Sequence, residues 1–214
     1  MDSHVSSLEQ IPVGPVKIEG LLELPQNAHG VVLFAHGSGS SRHSTRNGYV
    51  AHVLQNHGIG TLLMDLLTPE EDADYSNRFD IPMLTHRLLG ATEWLRADGR
   101  TEKMKLGYFG ASTGAAVALQ AAALSGSEIV AVVSRGGRPD LAGISSLQQV
   151  RSATLLLVGG WDEEVININR SAYQSLNCRK ELRIIPNATH LFSEPGTLEA
   201  VAKHATDWFS IYFK

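Results

Sequence analysis

Residues 104–119 read MKLGYFGASTGAAVAL, an apolar run followed by a small-residue turn and an alanine-rich segment. The turn, Gly110-Ala111-Ser112-Thr113-Gly114, has the pattern G-x-S-x-G, and its flanks predict a strand before it and a helix after it. In such a turn the serine backbone is strained, and a glycine two residues away on either side removes side chains that would collide. The pattern predicts that Ser112 projects its hydroxyl above the edge of a sheet as a nucleophile. An ordinary tight turn with a helix N-cap is the alternative.

Short runs rich in valine, isoleucine and leucine alternate with longer amphipathic segments along the rest of the chain. This alternation is typical of parallel strands covered by helices on both faces, so we predict an α/β protein with a mostly parallel, doubly wound sheet of about seven to eight strands. Gly20 lies in the middle of the first run, which could therefore be two strands joined by a hairpin. The patterns predict strands at residues 16–24, 30–35, 59–64, 104–109, 129–134, 154–159 and 181–185, and helices at about 44–57, 80–97, 113–125, 164–176 and 196–212.

No repeat, low-complexity segment or Pro/Gly/Ser-rich linker divides the chain, so a single domain spanning residues 1–214 is expected. Little in residues 1–12 is apolar before Ile11, which makes this segment a candidate for disorder.

A serine hydroxyl is a poor nucleophile at neutral pH, so Ser112 requires a base, and in folds with this turn the chain order is serine, acid, histidine. His190 stands in a loop directly after the strand at 181–185, whereas His204 lies within the last predicted helix. Asp162 follows the strand at 154–159 and is the acid best placed to orient His190 and to stabilise its imidazolium form. A helix N-cap for the segment that starts near Glu164 is a second role for Asp162, and the two roles are compatible.

The loop HGSGSS, residues 36–41, follows the apolar strand at 30–35. In folds with a G-x-S-x-G turn this loop supplies one backbone N–H to the oxyanion hole, and the residue after the nucleophile supplies the other. We therefore assign the two donors to Ser38 and Thr113, where they would stabilise the charge of a tetrahedral intermediate. A phosphate-binding loop is disfavoured because G-x-G-x-x-G requires glycine at position 42, where Arg42 stands. His36 is interpreted as a structural hydrogen-bonding residue.

With these residues identified, the chain resembles the dienelactone hydrolase-like branch of the α/β-hydrolases. The resemblance extends from about Val16 to Phe213, and its motifs are LFAHGSGSSRHS, GYFGASTGAA, VVSRGGRPDLAG, LLLVGGWDEEV and ATHLFSEPG. It implies the α/β-hydrolase fold without a separate cap domain, and a triad of Ser112, Asp162 and His190. The nucleophile of dienelactone hydrolases is cysteine, whereas this chain has serine. The resemblance therefore implies hydrolysis of carboxylic esters as a class rather than of dienelactone itself.

Arg135 follows another strand end and could bind a substrate carboxylate through two parallel hydrogen bonds. A salt bridge to Asp140 or to a carboxylate of residues 70–74 is the alternative. The segment TPEEDAD, residues 68–74, carries four carboxylates in seven positions, a density that could indicate a metal loop. A solvated loop is favoured because the glycine and the terminal glutamate of an EF-hand are missing. No metal site and no other cofactor is therefore expected.

Composition limits the class of protein and its partners. The 214 residues carry a net charge of −4 and are 43% hydrophobic and 19% charged, as in a globular protein with a sizeable core. Nothing indicates a clustered basic surface, so nucleic acid is disfavoured as a partner. The single cysteine, Cys178, excludes an intramolecular disulfide and a cysteine-built zinc site. Because the sequence shows neither a signal peptide nor an apolar run of about 18 residues, we expect a cytoplasmic protein without membrane association.

These observations predict a serine hydrolase that cleaves a small carboxylic ester, lactone or thioester through an acyl-enzyme on Ser112. Two alternatives are open at this point. One is a hydrolase-fold protein that binds a small ligand without turnover, and the other is an acyltransferase that uses the same triad. The sequence indicates no particular acyl group, alcohol or oligomeric state.

Overall fold

The structure is a computed structural model and describes residues 4–214. Its strands are β1 (Val5–Val13), β2 (Val16–Leu24), β3 (Gly30–Ala35), β4 (Gly60–Met64), β5 (Lys105–Ala111), β6 (Ile129–Arg135), β7 (Ala153–Gly159) and β8 (Lys180–Ile185). They form one sheet in the order β1-β2-β4-β3-β5-β6-β7-β8. The strands from β3 to β8 pair in parallel, whereas β1 and β2 are antiparallel. The predicted α/β-hydrolase fold is confirmed.

Helices cover both faces of this sheet. They are α1 (Thr45–Asn56), α2 (Pro69–Asp72), α3 (Ile81–Ala97), α4 (Thr113–Ser125), α5 (Ile144–Gln149), α6 (Glu163–Ser175) and α7 (Thr197–Tyr212), with 3₁₀ turns at Tyr75–Phe79 and Pro139–Ala142. One core lies between the sheet and α1 and α7, and the other lies between the sheet and the helices from α3 to α6. Strands β3, β4 and β7 are buried along their whole length, which explains their continuous apolar sequences. No helix in residues 4–214 is both long and apolar enough to span a bilayer.

The strand order reverses direction at β3. Strand β4 pairs on one side of β3 and β5 pairs on the other. The loops that follow β3 and β5 therefore leave neighbouring strand ends for opposite faces, and a crevice forms between them at the carboxyl edge of the sheet. In open α/β sheets this is the usual place for a ligand site, and the turn containing Ser112 lies there.

The N-terminal segment differs from its prediction. Disorder is wrong for residues 5–12, because they belong to β1, which pairs with β2 in a continuous antiparallel register from Val5 opposite Leu24 to Val13 opposite Val16. The hairpin turn lies at Gly14, where φ is +58°, so β2 is one strand and Gly20 does not break it. Residues 1–3 lie outside the described part of the chain.

The acidic segment 68–74 is a short capped helix where a solvated loop was expected. Thr68 caps α2 and forms a capping box with Glu71, so the sequence TPEE encodes a helix start. Two of the carboxylates are held by arginines, Glu71 by Arg87 at 2.6 Å and Asp72 by Arg78 at 2.7 Å. Within residues 4–214, no group of three or more histidine, cysteine, aspartate or glutamate side chains is arranged to hold a metal ion.

Candidate active site

The turn between β5 and α4 places Ser112 at a strained backbone conformation, with φ at 52° and ψ at −122°. Both glycines of the G-x-S-x-G pattern are required by close backbone contacts. A Cβ on Gly110 would lie 2.5 Å from the Gly114 carbonyl oxygen, and one on Gly114 would lie 2.2 Å from the Ala35 carbonyl oxygen. Ser112 occupies the N-cap position of α4, yet its side chain makes no capping hydrogen bond. Its hydroxyl therefore does not serve the helix, and strain of about 1–3 kcal/mol is typical of functional positions.

His190 and Asp162 form a direct pair at the same edge of the sheet. His190 Nδ1 lies 2.7 Å from Asp162 Oδ2. The Asp162 side chain is 15% exposed and the His190 side chain is 38% exposed, so the acid is sheltered and the base is accessible. Asp162 stands at the N-cap position of α6, but its side chain makes no capping hydrogen bond. Of the two roles proposed for this carboxylate, only the contact with His190 is present.

Backbone contacts fix the loop of the acid against the loop of the base. Gly160 N donates to the Ile185 carbonyl at 2.8 Å, and Trp161 N donates to the Ala188 carbonyl at 2.9 Å. A Cβ on Gly159 would lie 2.5 Å from the same Ala188 oxygen, so the two loops can approach only where the first has glycine. The distance between His190 and Asp162 is thus determined by the ends of β7 and β8.

The segment around His190 is anchored on one side only. Phe192 adopts a positive φ of 54° and is 2% exposed, so it is a core anchor. Leu191, on the other side of the turn, is 46% exposed. The turn is completed by Thr189, which donates its backbone N–H and its hydroxyl to the Glu194 carboxylate at 3.0 and 2.7 Å.

Ser112 and His190 line one cavity of about 200 Å³. Leu191, Arg46 and Arg135 also contribute to its wall. Among the hydrogen bonds of residues 4–214, none joins the Ser112 hydroxyl to His190. Catalytic hydrogen bonds are often long before substrate binds and shorten in the Michaelis complex. The structure therefore brings Ser112 and His190 to the same cavity, and Asp162 contacts the Nδ1 side of the histidine ring.

The two residues assigned to the oxyanion hole are in direct contact. Ser38 N donates to Thr113 Oγ1 at 2.8 Å. This bond holds the 36–41 loop against the start of α4, but it also occupies the N–H that the oxyanion would require. Thr113 is the first residue of α4, and the first N–H groups of a helix have no intrahelical acceptor. The donor pair stays a prediction, and it requires the Ser38 N–H to turn from the threonine hydroxyl to the oxyanion.

His36 lies behind this loop as a structural residue. Its Nε2 accepts a hydrogen bond from Leu66 N at 3.1 Å, and its Nδ1 lies 2.9 Å from the Gly37 carbonyl oxygen. The neutral tautomer with the proton on Nδ1 satisfies both contacts. Burial lowers the pKa of His36, which keeps the ring neutral.

Arg135 makes neither of the alternative salt bridges. Asp140 is paired with Arg138 at 2.8 Å, and Glu71 and Asp72 are paired with other arginines as described above. Arg135 is 8% exposed, and its Nε and Nη1 have no hydrogen-bond partner within residues 4–214. Burial, with a smaller contribution from the charge of Arg46, lowers the pKa of Arg135 to about 10. The position of Arg46 in the cavity wall could not be predicted from the sequence, because nothing in α1 distinguishes it from an ordinary surface arginine.

Comparison with known proteins identifies relatives of the chain. No protein-family model matches it. Two proteins of Mycobacterium tuberculosis, from strains CDC 1551 and H37Rv, are each 54% identical over 200 residues, or 94% of this chain, and each is named "Putative phosphoribosyl transferase". The chain spans about half the length of these curated relatives, since the match covers 45% of each.

Solved structures give a match over the full length. The crystal structure of dienelactone hydrolase from Anabaena variabilis ATCC 29413 has 52% sequence identity and a TM-score of 0.95, and the match covers 99% of both chains. The esterase Est1E from Butyrivibrio proteoclasticus has a TM-score of 0.80 at 15% identity, which shows a shared fold. Because this chain is 52% identical to the Anabaena variabilis protein over 99% of both chains, it belongs to the dienelactone hydrolase family.

Proposed function

We propose that the protein is a serine hydrolase that cleaves a small carboxylic ester, lactone or thioester through an acyl-enzyme on Ser112. The observation that carries the proposal is the 2.7 Å contact of His190 with Asp162 at the cavity that Ser112 also lines. A strained serine, an accessible base and a sheltered acid have the roles of a catalytic triad.

The proposed reaction has two stages. Because His190 Nδ1 faces Asp162, Nε2 is the ring nitrogen that can take the proton of Ser112 as its oxygen attacks the acyl carbon. The N–H groups of Thr113 and Ser38 would stabilise the oxyanion, and His190 would return the proton to the leaving alcohol or thiol. A water molecule, activated by the same histidine, would then attack the acyl-enzyme and release the carboxylic acid product from Ser112. Asp162 would stabilise the imidazolium in both stages.

The cavity favours a small substrate and water as the acceptor. Its volume of about 200 Å³ is below the roughly 300–1,000 Å³ of pockets for drug-sized ligands. The 38% exposure of His190 gives water access to the base, which favours hydrolysis over acyl transfer to a second substrate. Arg135, on the same wall, has Nε and Nη1 buried without a partner within residues 4–214, and it is proposed to bind an anionic group of the substrate.

The transferase name of the mycobacterial relatives belongs to proteins about twice as long as this chain. Because the match covers only 45% of each of those proteins, we do not extend that name to this chain. The same region of this chain is 52% identical to a solved dienelactone hydrolase over 99% of both chains, which supports ester hydrolysis as the proposal.

Covalent labelling tests the proposal. A fluorophosphonate probe should modify Ser112, as located by peptide mass spectrometry, and Ser112→Ala should abolish labelling. His190→Ala should slow the labelling by at least about 10²-fold, since it removes the general base. His204→Ala is the matched control, because His204 lies on α7 and contacts Arg183 at 2.9 Å. Labelling that is unaffected by Ser112→Ala, or that depends on His204 and not on His190, would contradict the proposal.

A further inference from the structure

The wall of the cavity beside Ser112 carries two arginines that have no acidic partner among residues 4–214. Arg135, at the end of β6, is 8% exposed, and its Nε and Nη1 are buried without a hydrogen-bond acceptor among residues 4–214. Arg46, in the first turn of α1, likewise has a buried Nε without a partner in the described part of the chain. Guanidinium groups stay protonated in proteins at neutral pH, so this wall holds two positive charges.

The carboxylates of the neighbourhood do not neutralise these charges. No aspartate or glutamate is among the described residues that line the cavity. An unpaired buried charge is costly for a fold, and proteins normally pair it with an acid or expose it to solvent. Arg135 is such a buried charge, and Arg46 is half-buried with a buried Nε, so the presence of both beside Ser112 points to an anionic ligand.

The start of α1 adds further donors on the same wall. Ser44, the N-cap of this twelve-residue helix, lines the cavity together with Ser40 and Arg46. No acidic residue lies in the first turn of α1, so the positive end of the helix dipole is not compensated there. Two serine hydroxyls and a helix N-terminus are groups that commonly bind phosphate oxygens.

We propose that this wall binds a phosphate monoester group of the substrate while Ser112 attacks an ester elsewhere in the same molecule; the proposal rests on the proposed function. A phosphate monoester carries a charge of about −1.5 to −2 at pH 7, which matches the two uncompensated guanidiniums better than one carboxylate does. Its three terminal oxygens can accept from two arginine forks and from hydroxyls at once. The cavity therefore selects small, phosphorylated esters.

Binding of inorganic phosphate tests the site without turnover. Isothermal titration calorimetry on Ser112→Ala protein should show that phosphate binds at least tenfold more tightly than acetate. Arg46→Gln and Arg135→Gln, each added to Ser112→Ala, should each weaken phosphate binding at least tenfold. Arg151→Gln is the control for net charge, since Arg151 is exposed and precedes β7 at the opposite edge of the sheet.

Three results would overturn the proposal: no phosphate binding, equal binding of acetate and phosphate, or phosphate binding that neither arginine substitution changes. If Arg135→Gln fails to fold, phosphate binding by the Arg46→Gln variant still tests the proposal, because Arg46 is only half-buried.

Turnover of a matched pair of esters tests selectivity. We expect kcat/KM for 1-acetylglycerol 3-phosphate to exceed that for 1-acetylglycerol at least 100-fold, and Arg46→Gln to reduce this ratio at least tenfold. A ratio near one in the native protein would refute phosphate selection. Hydrolysis of neither ester, together with phosphate binding and no fluorophosphonate labelling of Ser112, would instead refute the proposed hydrolase function and leave the anion site standing.

Discussion

Replacing Arg135 with methionine should make the protein more stable, although a buried side chain is altered. The pKa of Arg135 is lowered to about 10, chiefly by burial, which is more than two pH units below the ordinary value for arginine. Each pH unit corresponds to about 1.4 kcal/mol, so burial of this charge costs the folded state roughly 3 kcal/mol. Arg135→Met removes that cost.

Part of the gain is offset by a lost contact. The Arg135 guanidinium lies 6.0 Å from the centre of the Phe192 ring, an interaction worth about 0.5–2 kcal/mol. The net expected stabilisation is about 1–2 kcal/mol, or a rise in Tm of roughly 2–8 °C for a domain of this size. Urea unfolding followed by circular dichroism, together with a thermal scan, measures both quantities.

Arg87→Met provides a control of the same residue type and the same exposure of 8%. Arg87 is paired with Glu71 at 2.6 Å and donates to the Val13 carbonyl at 3.3 Å. Its loss leaves a partly buried carboxylate without its cation, and this variant should be destabilised by about 2 kcal/mol. If Arg135→Met destabilises the protein as much as Arg87→Met does, Arg135 is a structural residue and the reasoning about an uncompensated charge is refuted.

The remaining predictions concern catalysis, pH and metals. Asp162→Asn should lower kcat by roughly 10³–10⁴-fold, because it removes the acceptor that orients His190. Glu163→Gln, the control, should leave kcat within about twofold. Similar losses in both variants would contradict the assignment of Asp162 as the acid. Burial lowers the pKa of His36, so just below pH 6.5 the unfolded chain binds more protons than the folded protein does. The free energy of unfolding should therefore fall with decreasing pH, by up to about 1.4 kcal/mol per pH unit. Urea titrations at pH 5–7 should show a weaker dependence in His36→Gln, and an unchanged slope would refute a neutral, buried His36. EDTA should leave ester hydrolysis unchanged, since the proposed mechanism uses no metal; a loss restored by zinc would reveal a site outside this account.

The residues proposed for catalysis could be predicted because their signals are local. Ser112 is framed by two glycines that the backbone requires at Gly110 and Gly114, and this constraint is visible as a short motif. His190 and Asp162 each follow an apolar strand, and parallel strands present their carboxyl ends at one edge of the sheet. Chain order and strand position were therefore sufficient to identify the pair that the structure joins at 2.7 Å.

Other features depend on contacts that no local pattern contains. Strand β1 is an edge strand in which Leu8 is 59% exposed while Ser7 and Glu9 lie on the same face as the buried Ile11. Its apolar residues therefore do not alternate regularly, and the strand is stabilised by pairing with β2. The position of Arg46 in the cavity wall depends on where α1 packs relative to the end of β6, which the helical pattern does not determine. Likewise, the contact of Ser38 N with the Thr113 hydroxyl joins residues 75 positions apart.

The proposed acyl-enzyme can be observed directly by peptide mass spectrometry of protein quenched in acid during turnover of p-nitrophenyl acetate. The account predicts an acetyl group on the peptide that carries Ser112, formed in a burst of p-nitrophenol release. Both the acetyl group and the burst should be absent in Ser112→Ala. An acetyl group on Cys178, or a burst that persists in Ser112→Ala, would contradict the claim that Ser112 is the nucleophile.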